Sequence, residues 1–560
     1  MKITTMRICT AASMAAIAVL CAVIGSQKLA AVAASGDAVD EAMTAIRPEA
    51  IRADMAFLAD DLLEGRGTAT RGHELAAKFM AAQFEQMGLE PAGNDGTFFQ
   101  RIPLREFGAD EEKTMVTLVK GGTEWKLANR KDYLVHGSPL LTKRSLEAPV
   151  IYVGYGVTAP EQRYDDYKGV DAKGKVVAVI FGAPPSFEGS LRAHYSSGEK
   201  KAANAVAHGA VGIIALDDPV LEQIYGFQRQ VDALVFPNLA WLDPQGRPNA
   251  VYPELKGGAF LSMGATKKFF EGSAHSADEA FAAAKAGKQM SFDLPWTFKF
   301  QGESNWKDKQ SPNVVAKLPG SDPALREEYV VYTAHLDHLG VGVPVNGDNI
   351  YNGALDNGSG SADLIEIARA FSRMIPRPKR SILFVSVTAE EKGLLGSDYF
   401  AHFPTVKKNA MVANVNMDED LMLWPMEDLV VFGAEHSSLS QEVNEAAARL
   451  HLAISPDTQP EQVFFIRSDQ YSFVKQGVPA IAAGPGTMSH NPKYNAKEIE
   501  EKWEENIYHH PQDDMNQPFL FEEGAKYARF NFLVGYFVAQ KKERPTWNKG
   551  DFFGEHAGKE

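Results

Sequence analysis

Cysteine is nearly absent. The 560 residues hold two, Cys9 and Cys21, and both fall in an N-terminal stretch with the marks of a leader. Lys2 and Arg7 precede the apolar run "AASMAAIAVLCAVIG", and the small residues Ala31, Val32 and Ala33 follow. This is the form of a secretory signal peptide spanning 1–33, which predicts export to the periplasm or beyond the cell. Leu20 stands before Cys21 where a lipid-anchoring signal wants a small residue, so no lipid anchor is expected. The exported chain then has no thiol. That excludes disulfides, cysteine metal sites and cysteine nucleophiles. Stability must come from core burial or from bound metal.

Excess positive charge is lacking too. Net charge is −15, and removing Lys2, Arg7 and Lys28 with the leader takes it to about −18. No basic stripe is present, which argues against nucleic acid or an anionic membrane as partner. Long apolar runs are missing beyond the leader. The last helical pattern, "EEGAKYARFNFLVGYFVAQ", is apolar on most faces but too short in its unbroken run to span a bilayer, so it predicts a buried helix.

What is present reads as a globular α/β protein. With 45% hydrophobic and 23% charged residues, disorder is not expected within the fold. Its length exceeds one ordinary core and predicts two units or more. Residues 38–144 form a first part, helical to about 92 and alternating like short strands over 98–140. Strand-like "APVIYVGYGV" and "GKVVAVIFG", helical "EKKAANAVAHG" and strand-like "AVGIIAL" mark a smaller α/β insert over 145–290. Over 291–540 strands and amphipathic helices alternate, which predicts βαβ units and a mixed, mostly parallel central sheet flanked by helices. A polar, loose tail is expected over 541–560.

The chemistry-bearing residues fall at strand ends. His335 and Asp337 close one strand in "TAHLDHLG". Asp356 sits in "NGALDNGSG" before a helix. Glu390 and Glu391 close the next strand in "VTAEEKGLLGS", and Asp418 the one after in "NVNMDED". His509 lies in "YHHPQDD". Open α/β sheets bind ligands outside the carboxyl ends of their strands. Imidazole and carboxylate without thiolate suit zinc or a similar divalent ion. One ion is expected on His335 and Asp418, the other on Glu391 and His509, with Asp356 bridging both. That leaves Glu390 free as general base, to take a proton from the attacking water and pass it to the leaving amine. Asp337 is placed to accept a hydrogen bond from the His335 ring.

Taken in order, "AHLDHLG", "GALDNGSG", "TAEEKGLLGS", "NVNMD" and "YHHPQDD" resemble the five motifs of the co-catalytic zinc exopeptidases. That group includes bacterial secreted aminopeptidases, glutamate carboxypeptidase and glutaminyl cyclase. The resemblance covers roughly 40–140 and 295–540. It implies two Zn2+ per chain, a peptide substrate, the roles assigned above and a non-proline cis peptide after Asp356. The 145–290 segment resembles a protease-associated domain, which can narrow the substrate cleft. Two departures stand out. His510 occupies a place that is usually Thr or Ser, but the four-residue offset to Asp513 favours His509. Gln470, in "RSDQYSF", replaces a usual histidine.

The expected activity is that of an exported aminopeptidase. Carboxypeptidase or dipeptidase specificity is the alternative within the same motifs. A glutaminyl cyclase-like acyltransferase fits less well, because the bridging Asp356 and the Glu390–Glu391 pair are intact. A non-catalytic receptor fits less well because the ligand set is complete. His338, His402 and His208 are read as structural.

Overall fold

The computed structural model describes residues 38–556 and 558, so the leader lies outside the described residues. Two sheets share one long strand, Ser291–Leu318. Its second half runs antiparallel to Phe99–Ala109 on one side and to Ser381–Val387 on the other. Beyond it, Ser381–Val387, Tyr329–His335, Met411–Met417 and Ala480–Pro485 follow side by side, all parallel. Asp428–Phe432 runs antiparallel to Ala480–Pro485, and the short Ala453–Ile454 pairs parallel to its outer edge. The fold is therefore the expected mixed α/β sheet with a parallel centre.

Two of the parallel strands, "SILFVSV" and "MVANVNM", are buried along their whole length, and the other two nearly so. Helices cover both faces, and near-continuous apolar runs rather than alternation are what such strands require. On one face, Pro48–Leu58, Gly360–Arg373 and Phe521–Gln540 pack into a core that includes Met55, Leu364, Phe371 and Phe532. Among the described residues no helix is long and apolar enough to cross a membrane.

The first half of the long strand belongs to the other sheet. There it pairs with Met115–Lys120 and Lys143–Val153, and Val176–Ile180 and Gly212–Leu216 continue the sheet in parallel. A separate core including Val150, Tyr152, Phe269 and Phe298 fills this unit. Its strand Asn238–Trp241 crosses back to pair with Phe99–Ala109. The segment after Lys541, expected to be loose, is pinned instead. Phe553 is buried in an aromatic cluster with Phe465 and His436, and Ser437 bridges to Trp547. Its aromatic side chains outweigh its polar composition.

The chain climbs Tyr329–His335 and crosses through Gly360–Arg373 to Ser381–Val387 on one side. It then returns through Leu395–His402 to Met411–Met417 on the other. The carboxyl end of the His335 strand is thus the point where the strand order reverses, and there adjacent connections diverge and leave a crevice.

Candidate metal centre

Three strand ends and two loops deliver side chains to that crevice. His335 ends its strand, Glu390 and Glu391 form the turn after Ser381–Val387, and Asp418 follows Met417 directly. Asp356 arrives on the irregular turn Ala354–Ser359, where the Asp356–Asn357 peptide is cis. This turn is held from below. Both carboxylate oxygens of Asp513 accept from it, from Leu355 N at 2.8 Å and Asp356 N at 3.0 Å. The buried Arg66 guanidinium donates to the carbonyls of Leu336, Asn352 and Gly353, tying the His335 strand end to the Asp356 loop.

Asp356 lies between two histidines. Its Oδ1 is 3.2 Å from His335 Nε2 and its Oδ2 is 3.1 Å from His509 Nε2. Asp418 Oδ1 completes one group at 3.1 Å from His335 Nε2. Glu391 Oε2 completes the other at 3.2 Å from His509 Nε2. Glu390 stands slightly off, with Oε2 3.9 Å from His335 Nε2. His509 therefore joins the cluster, while His510 turns its Nδ1 to the carbonyl of Tyr508 at 3.0 Å.

Two residues sit differently from the sequence reading. The His335 ring uses the main-chain carbonyl of Asp337, 3.0 Å from Nδ1, and not its carboxylate. The Asp337 carboxylate instead accepts from Glu390 N at 3.1 Å and from Thr68 Oγ1 at 2.7 Å. It fixes the glutamate turn rather than the ring, because the chain folds back after His335 and points this side chain at the next strand's end. His338, read as structural, places Nδ1 2.7 Å from Glu391 Oε1 and 3.7 Å from Asp356 Oδ2. The ring thus faces the two carboxylates of the cluster from a fully buried position, and its Nε2 has no hydrogen-bond partner. His402 and His208 lie elsewhere, the first on the carbonyl of Asp398 and the second stacked on Tyr167.

The electrostatics follow from burial of four carboxylates around three imidazoles. Burial pushes the Glu390 carboxyl well above the usual range, against the pull of His335. Burial also opposes charge on Glu391 and Asp356, yet the histidines outweigh it. His509 and His338 hold Glu391 well below the usual range, and His338, His335 and His509 do the same for Asp356. Buried like charges this close are costly unless cations neutralise them. The donor set fits a pair of divalent ions: imidazole and carboxylate only, with one carboxylate facing both groups.

A cavity of about 420 Å³ opens onto this cluster. Leu421, Phe432, Phe464 and Met488 give it apolar walls, and Glu419, Glu504 and Arg467 add charge. Arg467 lies among the rings of Phe464, Tyr225 and Tyr508, at 4.9, 5.4 and 5.7 Å from their centroids. Tyr225 lies outside the cavity's lining and meets it only through Arg467, on which its ring packs. The Gln470 side chain is buried and committed: Nε2 donates to the carbonyl of Phe465 at 2.9 Å. Arg66, Thr68 and the helix Ala496–Asn506 that carries Glu504 escaped the sequence reading. "LEGRGT" has no ligand-type pattern, and Arg66 acts on carbonyls brought near only by folding.

Fold and site together define a class: an α/β domain with a buried carboxylate–histidine cluster, fit for two ions, at the switch point of a parallel sheet. Residues 313–524 match the model of Peptidase family M28. Aminopeptidase Y of Saccharomyces cerevisiae is 25% identical over 245 residues, 41% of this chain and 40% of that protein. The probable leucine aminopeptidase 2 of Aspergillus oryzae is 28% identical over 217 residues, 37% of this chain and 39% of that protein. The chain thus spans about 40% of the length of these curated relatives. The solved aminopeptidase from Aneurinibacillus sp. strain AM-1 shares the fold: TM-score 0.51 at 17% identity, over 90% of this chain and 97% of that one.

Proposed function

We propose that this chain is an exported, zinc-dependent exopeptidase, an aminopeptidase that removes N-terminal residues from peptides. The observation that carries the reading is Asp356, whose two oxygens face His335 and His509 separately. His335, Asp418 and Asp356 would hold one zinc, and His509, Glu391 and Asp356 the other. When bound, such a pair lowers the pKa of water and polarises a substrate carbonyl.

The chain's own residues supply the rest. Glu390 is not needed as a ligand, and burial raises its affinity for a proton. It takes a proton from the attacking water and delivers it to the leaving nitrogen. Asp337 holds the backbone of Glu390 and so aims that carboxylate. Glu419 and Glu504 line the cavity beside the ligands and would take the free α-ammonium of a substrate. The apolar walls would take its first side chain. We assign 145–290 as a protease-associated domain, whose Tyr225 packs on the cavity-lining Arg467. Residues 1–33 act as the export signal.

Arg467 favours a second reading, carboxypeptidase action, because its guanidinium borders the cavity and would suit a terminal carboxylate. A substrate panel separates the two. Aminopeptidase action predicts hydrolysis of aminoacyl anilides and no cleavage of N-acetylated peptides. Cleavage of N-acetylated peptides from their free C-terminus would transfer the assignment to the carboxypeptidase.

A further inference from the structure

We propose a third divalent-cation site, formed by Glu188, Glu435 and His436, that ties the inserted unit to the peptidase unit. The three residues come from both. Glu188 precedes the helix Gly189–Ser196 of the insert, and Glu435 and His436 form the turn after Asp428–Phe432 of the central sheet. One donor atom from each lies within 4.8 Å of the other two.

The histidine is built like a metal ligand. Its Nδ1 is fixed by Asp551 Oδ2 at 2.7 Å, which orients the ring. Its Nε2 is buried without a hydrogen-bond partner, 3.3 Å from Glu435 Oε1. The residue is 5% exposed, so water does not readily serve that nitrogen. A carboxylate behind one ring nitrogen, with the other nitrogen turned to further carboxylate donors, is the usual arrangement around a metal-bound imidazole. Ser190 Oγ donates to Glu435 Oε1 at 2.8 Å and orients that carboxylate in turn.

Nitrogen and carboxylate donors select a zinc-like ion over calcium or magnesium. Zinc at about 2.0–2.2 Å from each donor needs only a modest closing of the triad. Glu188 is exposed and can move to provide it. Glu188 and Glu435 line a second cavity of about 570 Å³ that shares Phe432 and Phe464 with the cavity at the carboxylate–histidine cluster. An ion here would fix the insert against a wall of the substrate cavity.

A protonated His436 would satisfy the same carboxylates, so the test counts metal. Mature protein and its Glu188→Gln/Glu435→Gln variant are loaded with zinc, dialysed against metal-free buffer and analysed by mass spectrometry. Both changed side chains are exposed in good part, so the variant should fold, which circular dichroism checks. The proposal expects the variant to hold one zinc fewer per chain while still hydrolysing substrate. It also expects zinc-soaked crystals to show an anomalous peak beside His436 Nε2. Equal zinc in the two proteins, or no peak there, overturns it, whatever number the other centre binds.

Discussion

At the residue scale the account turns on which acid is free. Glu390 and Glu391 are neighbours in sequence but diverge, Glu391 onto His509 and Glu390 away from it. Replacing Glu390 with Gln should leave bound zinc unchanged and lower kcat by about 10²–10⁴, the usual contribution of a general base. Zinc analysis beside steady-state kinetics reads both quantities. A second carboxylate, away from the centre, gives a pH prediction. Burial, and then the charge of Glu366, push Asp54 up to about 7 from an ordinary value of 3.8. The folded state then binds this proton more tightly than the unfolded state. Its contribution to stability is intact below pH 4 and is lost as pH rises through 7. Asp54→Asn should therefore gain in melting temperature over the native protein as pH rises from 4 to 8. A difference that stays flat with pH would contradict the assignment. The clustering of His335, Asp356, Glu391 and Asp418 was legible because each closes a patterned strand or opens a helix. Asp337 and His338 were not, since their partners depend on how the chain folds back after His335.

At the element scale the glutamate turn depends on a close approach. A Cβ on Gly396 would lie 2.0 Å from the carbonyl oxygen of Thr388, so the helix Leu395–His402 packs directly on the end of the Ser381–Val387 strand. Gly360 makes the same kind of approach, 2.6 Å from the carbonyl oxygen of Met417. Gly396→Ala must push the turn carrying Glu390 and Glu391 outward. It should cost about 1–3 kcal/mol, the range for overpacking, and weaken zinc binding as well. Denaturant unfolding and metal titration on one sample measure both. The alternating pattern of strands and helices over 291–540 was readable because buried parallel strands leave continuous apolar runs. The helix Ala496–Asn506 was not: in "AKEIEEKWEEN" only Ala496 and Trp503 are buried. So charged a surface hides the apolar spacing that marks a helix.

At the scale of the whole molecule, the two largest cores share one long strand, and the carboxylate–histidine cluster lies beside only one of them. Chelation should lower the unfolding temperature of the peptidase unit, and added zinc should restore it. Ligand at a hundred times its Kd stabilises a folded state by about 2.7 kcal/mol. Calorimetry with and without EDTA reads the shift, and an unchanged transition would speak against ions held in that core. The parallel centre of the sheet was visible in the order of strands and helices. The sharing of Ser291–Leu318 between both sheets was not, because strand pairing across such distances leaves no local mark in composition. The central claim is that His335 with Asp418, and His509 with Glu391, hold two ions bridged by Asp356. Anomalous diffraction from a zinc-soaked crystal tests it most directly. The account predicts two peaks about 3.5–4 Å apart, one on each oxygen of Asp356, with Glu390 coordinating neither. A single peak, or a peak coordinated by Glu390, would contradict it.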